Sequence, residues 1–138
     1  MITGINHITL SVTNLERAFD FYQHILGATP LCRWHQGAYL TLGNIWLCLN
    51  YKPDFRPNPH PDYTHIAWNV QVQNFTTLKQ QIITSGAHIF QDNSSEGESL
   101  YFCDPDGHKL EIHVGTWQTR LAAKKLANDL WQEVEFFV

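Results

Sequence analysis

Apolar and polar residues alternate with period two over residues 6–12. His7, Thr9 and Ser11 fall on one face and Ile8, Leu10 and Val12 on the other, the pattern of a half-buried strand. Asn14 follows in the position of a helix N-cap, and Leu15, Ala18, Phe19, Tyr22 and Leu26 recur at helical spacing as far as Gly27, a helix stop. Strands are expected at residues 31–33 with their continuation, over 38–42 and, past a turn at Gly43-Asn44, over 45–50. The first 50 residues thus read βαβββ. Residues 51–62 carry Pro53, Pro57, Pro59 and Pro61 among Asn and Asp, a run that continues neither a helix nor a central strand and is expected to be a linker.

The same order then starts again. His65 stands near the start of a strand over 64–70, and Asn74 is placed to cap a helix whose Phe75, Leu78 and Ile82 face inward and which Gly86 ends. Strands are expected over 87–91, 100–103 and 109–114, with a polar loop at 92–98. Asp104-Pro105-Asp106-Gly107 sets proline and glycine where a β-turn wants a preset φ and a positive φ. Beyond it Lys109, Glu111 and His113 share one strand face, and Leu110, Ile112 and Val114 the other. Residues 116–126 are expected to be helical, and 127–138, with Trp131, form a tail apolar enough to need a partner surface.

His7 and His65 therefore open two βαβββ units at matching places, and a repeat of this size implies two halves packing into one structure. The expected fold class is α+β. Modules over 1–50 and 63–115, joined by the linker 51–62 and followed by the helix 116–126, form a single domain over 1–126 with a tail over 127–138. Two small sheets pairing their faces would make a cleft or incomplete barrel, bringing His7, His65 and Glu111 together. Each also has a plain structural reading: a strand carboxylate is ordinarily solvated, and a lone histidine is ordinarily a hydrogen-bonded structural residue. The repeat-matched histidines favour ligands.

Composition narrows the partners. The 138 residues are 43% hydrophobic and 16% charged, a folded-protein balance, and a formal charge of -4 with a pI near 6.0 gives no basic footprint for nucleic acid. No apolar run approaches a membrane span and the N-terminus has no signal-peptide pattern, so a cytoplasmic location and no membrane partner are expected. Cys32, Cys48 and Cys103, an odd number without metal or disulfide spacing, are expected as reduced, buried, small apolar residues.

With these elements in place, the chain resembles the vicinal oxygen chelate superfamily, which includes glyoxalase I, extradiol dioxygenases and fosfomycin-modifying enzymes, and within it the fosfomycin-resistance glutathione transferases. The resemblance rests on Thr3-Gly4-Ile5-Asn6-His7-Ile8-Thr9-Leu10, Arg33-Trp34 with Gln36-Gly37-Ala38-Tyr39-Leu40, Trp46-Leu47-Cys48-Leu49, Asp62-Tyr63-Thr64-His65, Ser95-Glu96-Gly97, and Tyr101-Phe102 leading through residues 104–115 to Arg120-Leu121-Ala122-Ala123. It covers nearly all of the chain to about residue 126.

The resemblance implies a homodimer whose sites combine halves of two subunits and a metal, usually Mn²⁺, held by His7, His65 and Glu111. It also implies an enzyme that opens the epoxide of fosfomycin with glutathione and so confers resistance to that antibiotic. Superfamily members that take a fourth ligand from the last strand of the first unit contrast with this chain, where Trp46, Leu47 and Cys48 supply no carboxylate or histidine. By the same resemblance Tyr39 hydrogen-bonds the thiol and Thr9 contacts substrate oxygens near the metal. Tyr101 and Arg120 contact the phosphonate, and Trp46 and Tyr63 wall the pocket. Asn93, Ser95, Glu96, Gly97 and Ser99 match a potassium-binding loop. His113, on Glu111's strand face, is a candidate support for that carboxylate, whereas His24, His35, His60 and His88 have no expected role and His108 is expected only as a turn residue.

One position departs from the family pattern: Gln91 stands where the family carries a lysine that helps neutralise the phosphonate. Losing a charge-assisted contact in a shielded pocket costs roughly 1.5–3 kcal/mol, or about one to two powers of ten in binding. Two alternatives to the transferase stand beside it: a metal-dependent glyoxalase-like enzyme acting on another small electrophile, and a non-catalytic drug-binding protein of the same fold.

Overall fold

The computed structural model describes residues 1–54, 58–127 and 132–138; Pro57 of the expected linker and Trp131 of the expected tail lie outside the described residues. The first module contains β1 (His7–Val12), α1 (Leu15–Asp20), β2 (Thr29–Trp34), β3 (Gly37–Leu42) and β4 (Ile45–Tyr51). The second contains β5 (Ile66–Asn69), α2 (Val72–Thr84), β6 (Ile89–Gln91), β7 (Glu98–Cys103) and β8 (Lys109–Val114), followed by α3 (Trp117–Leu126). Each builds a four-stranded sheet, in the orders β1-β4-β3-β2 and β5-β8-β7-β6. The first and last strands of each module run parallel while the remaining pairs are antiparallel. The sheets are open and do not close into a barrel.

The helices depart from the sequence pattern in two instructive ways. Asn14 caps α1 as expected, its Oδ1 accepting from the Arg17 N–H at 3.0 Å. The helix then widens into a π-helical segment, Phe21–Ile25, before Gly27 leaves it at φ 78°. Adjacent Phe21 and Tyr22 in this segment are both buried, and their rings meet edge to face at 5.5 Å. The second helix starts earlier than expected: Gln71, not Asn74, is its N-cap residue, and Asn74 lies inside the first turn with its N–H donating to the Gln71 carbonyl. Its inward face is as the periodicity requires, with Phe75 and Ile82 buried and Leu78 packed against them.

One apolar core spans both modules. Val12, Tyr22, Leu40, Leu47 and Leu49 come from the first, and Ile82, Phe102, Leu110 and Ile112 from the second. Each fully buried side chain of this size contributes about 1.5–3 kcal/mol. All of β2 is exposed, and so Cys32 departs from the expected burial while Cys48 and Cys103 conform to it.

The turn at residues 104–107 forms, with the Gly107 N–H donating to the Asp104 carbonyl at 3.0 Å and φ 83° at Gly107. Its larger role is to fasten the two modules together. Tyr22 donates to Asp104 Oδ2 at 2.6 Å, while the Thr13 N–H and hydroxyl donate to Asp106 Oδ1 at 2.9 and 2.7 Å. His108 Nε2 donates to the Ser11 carbonyl at 2.7 Å, making it a bridge between modules and not only a turn residue. Burial holds the Asp104 carboxyl above its ordinary range despite the opposing influence of His108 and the Tyr22 hydrogen bond. Burial, reinforced by Asp104, likewise raises the Tyr22 phenol.

Candidate metal centre and substrate pocket

Glu111 occupies the middle of β8, where the paired residue of β7 is Tyr101 and the neighbouring pair is Ser99 with His113. Those side chains cover the carboxylate, leaving Glu111 5% exposed where a strand carboxylate is ordinarily solvated. A buried carboxylate is costly unless it is paired and hydrogen-bonded. Glu111 is both: Oε2 lies 2.8 Å from His65 Nε2, and Oε1 accepts from the Ser99 hydroxyl at 2.6 Å.

The opposite ring nitrogen of His65, Nδ1, is 3.1 Å from the Tyr63 carbonyl. A carbonyl only accepts, so Nδ1 carries a hydrogen and Nε2 is the nitrogen turned toward Glu111. Nε2 and Oε2 thus face one another across 2.8 Å, two atoms of the kind that ligate a divalent cation. The set fits a first-row ion: imidazole and carboxylate donors, with the outer edge of each group held by a hydrogen bond.

Around this pair stand most of the residues expected on the substrate side. The Tyr101 ring is 5.8 Å from the His65 ring, and its hydroxyl is 3.5 Å from Ser95 Oγ. Tyr63 stacks edge-on to His65 at 5.1 Å, and its hydroxyl accepts from Gln91 Nε2 at 2.7 Å. Arg120, in the first turn of α3, faces Glu96 Oε2 and Ser95 Oγ, each at 3.4 Å. That helix is fixed by a capping box in which Thr116 and Thr119 satisfy each other's backbone N–H groups. The loop before β7 is closed by Asn93, whose amide donates to the Gly97 carbonyl and whose Oδ1 accepts from Ser95. Ser99 lies apart from these loop contacts, turned to Glu111.

The first sheet holds the remainder. His7, Thr9, Tyr39, Trp46 and Cys48 lie on its shared face, with Trp46 4.8 Å from the His7 ring and 5.1 Å from Tyr39. His7 is exposed, and its Nδ1 meets Asn6 Oδ1 at 2.7 Å. The expectation that one chain would unite His7 with His65 and Glu111 is not met. Among the described residues no three His, Cys, Asp or Glu side chains are placed to hold one ion. His7 belongs to the first sheet and Glu111, with His65 at the entry to β5, to the second, and the hydrogen bonds that join the modules run through the turn at 104–107 and the helices.

Residues 4–112 match the model of the Glyoxalase/Bleomycin resistance protein/Dioxygenase superfamily. The chain is 46% identical over 125 residues to the glutathione transferase FosA of Serratia marcescens, covering 89% of each chain. It belongs to the fosfomycin-resistance thiol transferase family of that superfamily. It is also 39% identical to the metallothiol transferase FosB of Shouchella clausii, over 98% of this chain and 97% of that one. Among solved structures, a mutant of the fosfomycin resistance protein FosX of Listeria monocytogenes, complexed with Mn(II) and 1S,2S-dihydroxypropylphosphonic acid, superposes with a TM-score of 0.78. It is 27% identical and covers 88% of this chain and 99% of that one.

Sequence reasoning assigned Ser99 to the cation loop and did not see its bond to Glu111. The signal was available only as register, since Ser99 and His113 pair across strands β7 and β8 whose alignment depends on the loop between them. The Gln91 to Tyr63 bond, which spans two separate segments, left no sequence signal.

Proposed function

We propose that this chain is a metal-dependent transferase that adds the thiol of glutathione to the epoxide of fosfomycin, working as a homodimer. The observation that carries the reading is the opposed pair His65 Nε2 and Glu111 Oε2, 2.8 Å apart and surrounded by Tyr63, Tyr101, Ser95 and Arg120. A second copy, laying its first sheet over this site, would add His7 as the third ligand and Thr9, Tyr39 and Trp46 as the facing wall. Exposed Ile5, Leu31 and Trp34 on that first module provide apolar surface for such a partner.

A divalent ion such as Mn²⁺, held by His7, His65 and Glu111, would supply Lewis acidity toward the substrate's phosphonate and epoxide oxygens. The chain's own side chains do the rest. Arg120 turns its guanidinium to the phosphonate, with Tyr101 donating beside it, and Thr9 donates to the substrate oxygens. Tyr39 hydrogen-bonds the thiol and favours its anionic form. As the sulfur bonds to the epoxide carbon, the carbon–oxygen bond breaks and the freed oxygen takes up a proton to become a hydroxyl. Trp46 and Tyr63 exclude water from the reacting atoms. Potassium would sit at the loop, taking oxygens of Asn93, Ser95, Glu96 and Gly97.

The test is consumption of fosfomycin by the Mn²⁺-loaded protein with glutathione, with cysteine and with no thiol, the product identified by mass. A glutathione adduct formed at Glu111-dependent rates supports the reading. A diol formed without thiol, or no turnover with any of them, overturns it.

A further inference from the structure

We propose that Ser99 and His113 are positioning residues, an arm behind Glu111 that sets the rotation of its carboxylate for metal capture; this rests on Glu111 being a metal ligand. The Ser99 hydroxyl has one hydrogen and touches two groups: Glu111 Oε1 at 2.6 Å and His113 Nδ1 at 2.7 Å. The carboxylate is the acceptor, so Ser99 donates to Glu111 and accepts from a hydrogen on His113 Nδ1. The polarity of the arm therefore runs from His113 through Ser99 to Glu111. With Oε1 engaged, the free oxygen Oε2 is the one aimed at His65 Nε2.

The arm is braced at its far end by packing. A β-carbon on Gly115 would come within 2.7 Å of His113 Nε2, and one on Gly97 within 3.0 Å of its Cε1. Both glycines sit at positive φ, 150° and 81°. The backbone thus closes directly on the outer edge of the ring, and the imidazole has no room to swing its Nδ1 away from Ser99. Ser99 and His113 are themselves 8% and, for the side chain, 14% exposed, so water does not readily substitute for either contact.

The experiment measures Mn²⁺ affinity by electron paramagnetic resonance of the free ion, in potassium-free buffer and again with potassium, on the full chain. The variants are Glu111→Ala, Ser99→Ala, His113→Gln and His113→Asn. Removing a partner of this kind lowers metal affinity by roughly 10–100-fold, and that loss is expected for Ser99→Ala with and without potassium. His113→Asn sets an amide nitrogen near the place of Nδ1 and is expected to stay within about threefold of wild type, whereas His113→Gln reaches toward Nε2 instead and loses about tenfold. Wild-type affinity in Ser99→Ala, or a loss seen only with potassium present, overturns the proposal, the latter making Ser99 a potassium ligand. Equal losses in both His113 variants overturn it as well, because they reduce His113 to a packing role. If Glu111→Ala itself binds Mn²⁺ as wild type does, the ligand assignment has failed, a result distinct from all of these.

Discussion

In the first sheet the residue two places past the module's histidine, Thr9, pairs with Cys48; in the second the matching residue, Ala67, pairs with Glu111. The backbones repeat, strand for strand, and the side chains at the same register do not. His7 rests against Trp46 and a neutral Asn6 and is exposed, whereas His65 faces a buried carboxylate braced by Ser99 and His113. A repeated frame fixes where a side chain can stand and leaves its chemistry free. Here the second sheet holds the site's carboxylate and the loop and arginine beside it, and the first offers an aromatic wall with one imidazole. The proposed site draws on both sheets, and under that reading two copies would pair unlike faces.

The sharpest break of that comparison is complementation. Glu111→Ala and His7→Ala homodimers are each expected to show no fosfomycin turnover, yet mixing them after dissociation should restore roughly a quarter of wild-type turnover, because half the dimers carry one intact site of two. No recovery on mixing, with exchange verified by mass, would place both residues in one chain's site.

Next in size is Gln91→Lys, which adds a cation beside Tyr63 on the charged sheet. If the pocket takes a phosphonate, KM for fosfomycin falls by roughly ten- to a hundredfold with kcat little changed; an unchanged or raised KM points to a less anionic substrate.

The joint between the modules is tested by Tyr22→Phe, which leaves Asp104 Oδ2 without its 2.6 Å partner. Urea unfolding should show a loss of about 1–3 kcal/mol at an unchanged m-value. Asp104 also gives the joint a pH signature. Its folded-state pKa is raised, chiefly by burial, so the native protein binds more protons than the unfolded chain above the ordinary carboxylate value of about 3.9. That contribution is complete below this value and is lost as pH rises through the folded pKa. Asp104→Asn should flatten the corresponding part of the stability–pH curve, and an undiminished fall in the variant would assign the effect elsewhere.

The smallest effect is expected at Cys48. Cys48→Ala removes a buried side chain at the register of Glu111 but no ligand, so Mn²⁺ affinity should stay within about threefold and stability should fall by about 1 kcal/mol. A large loss of affinity would make the thiol a fourth donor.

The repeat was legible because strand alternation and helical spacing are local. Lys109–Val114 forms with the bounds its alternation gave, and Phe75, Leu78 and Ile82 face inward as their spacing required. The start of the second helix and the π-helical widening were not legible, since Gln71 carries no side-chain cap and no local pattern marks the wider turn that carries buried Phe21 and Tyr22. By itself, then, the sequence determined two βαβββ units, a histidine at the head of each, a carboxylate on the last strand and the turn ahead of it. Tertiary structure decided that the turn joins the modules, that Glu111 is buried, that His65 and Ser99 engage its two oxygens, and that His7 stands apart on the other sheet. Those outcomes depend on which faces pack over which, and packing couples residues too far apart in the chain for any local pattern to record.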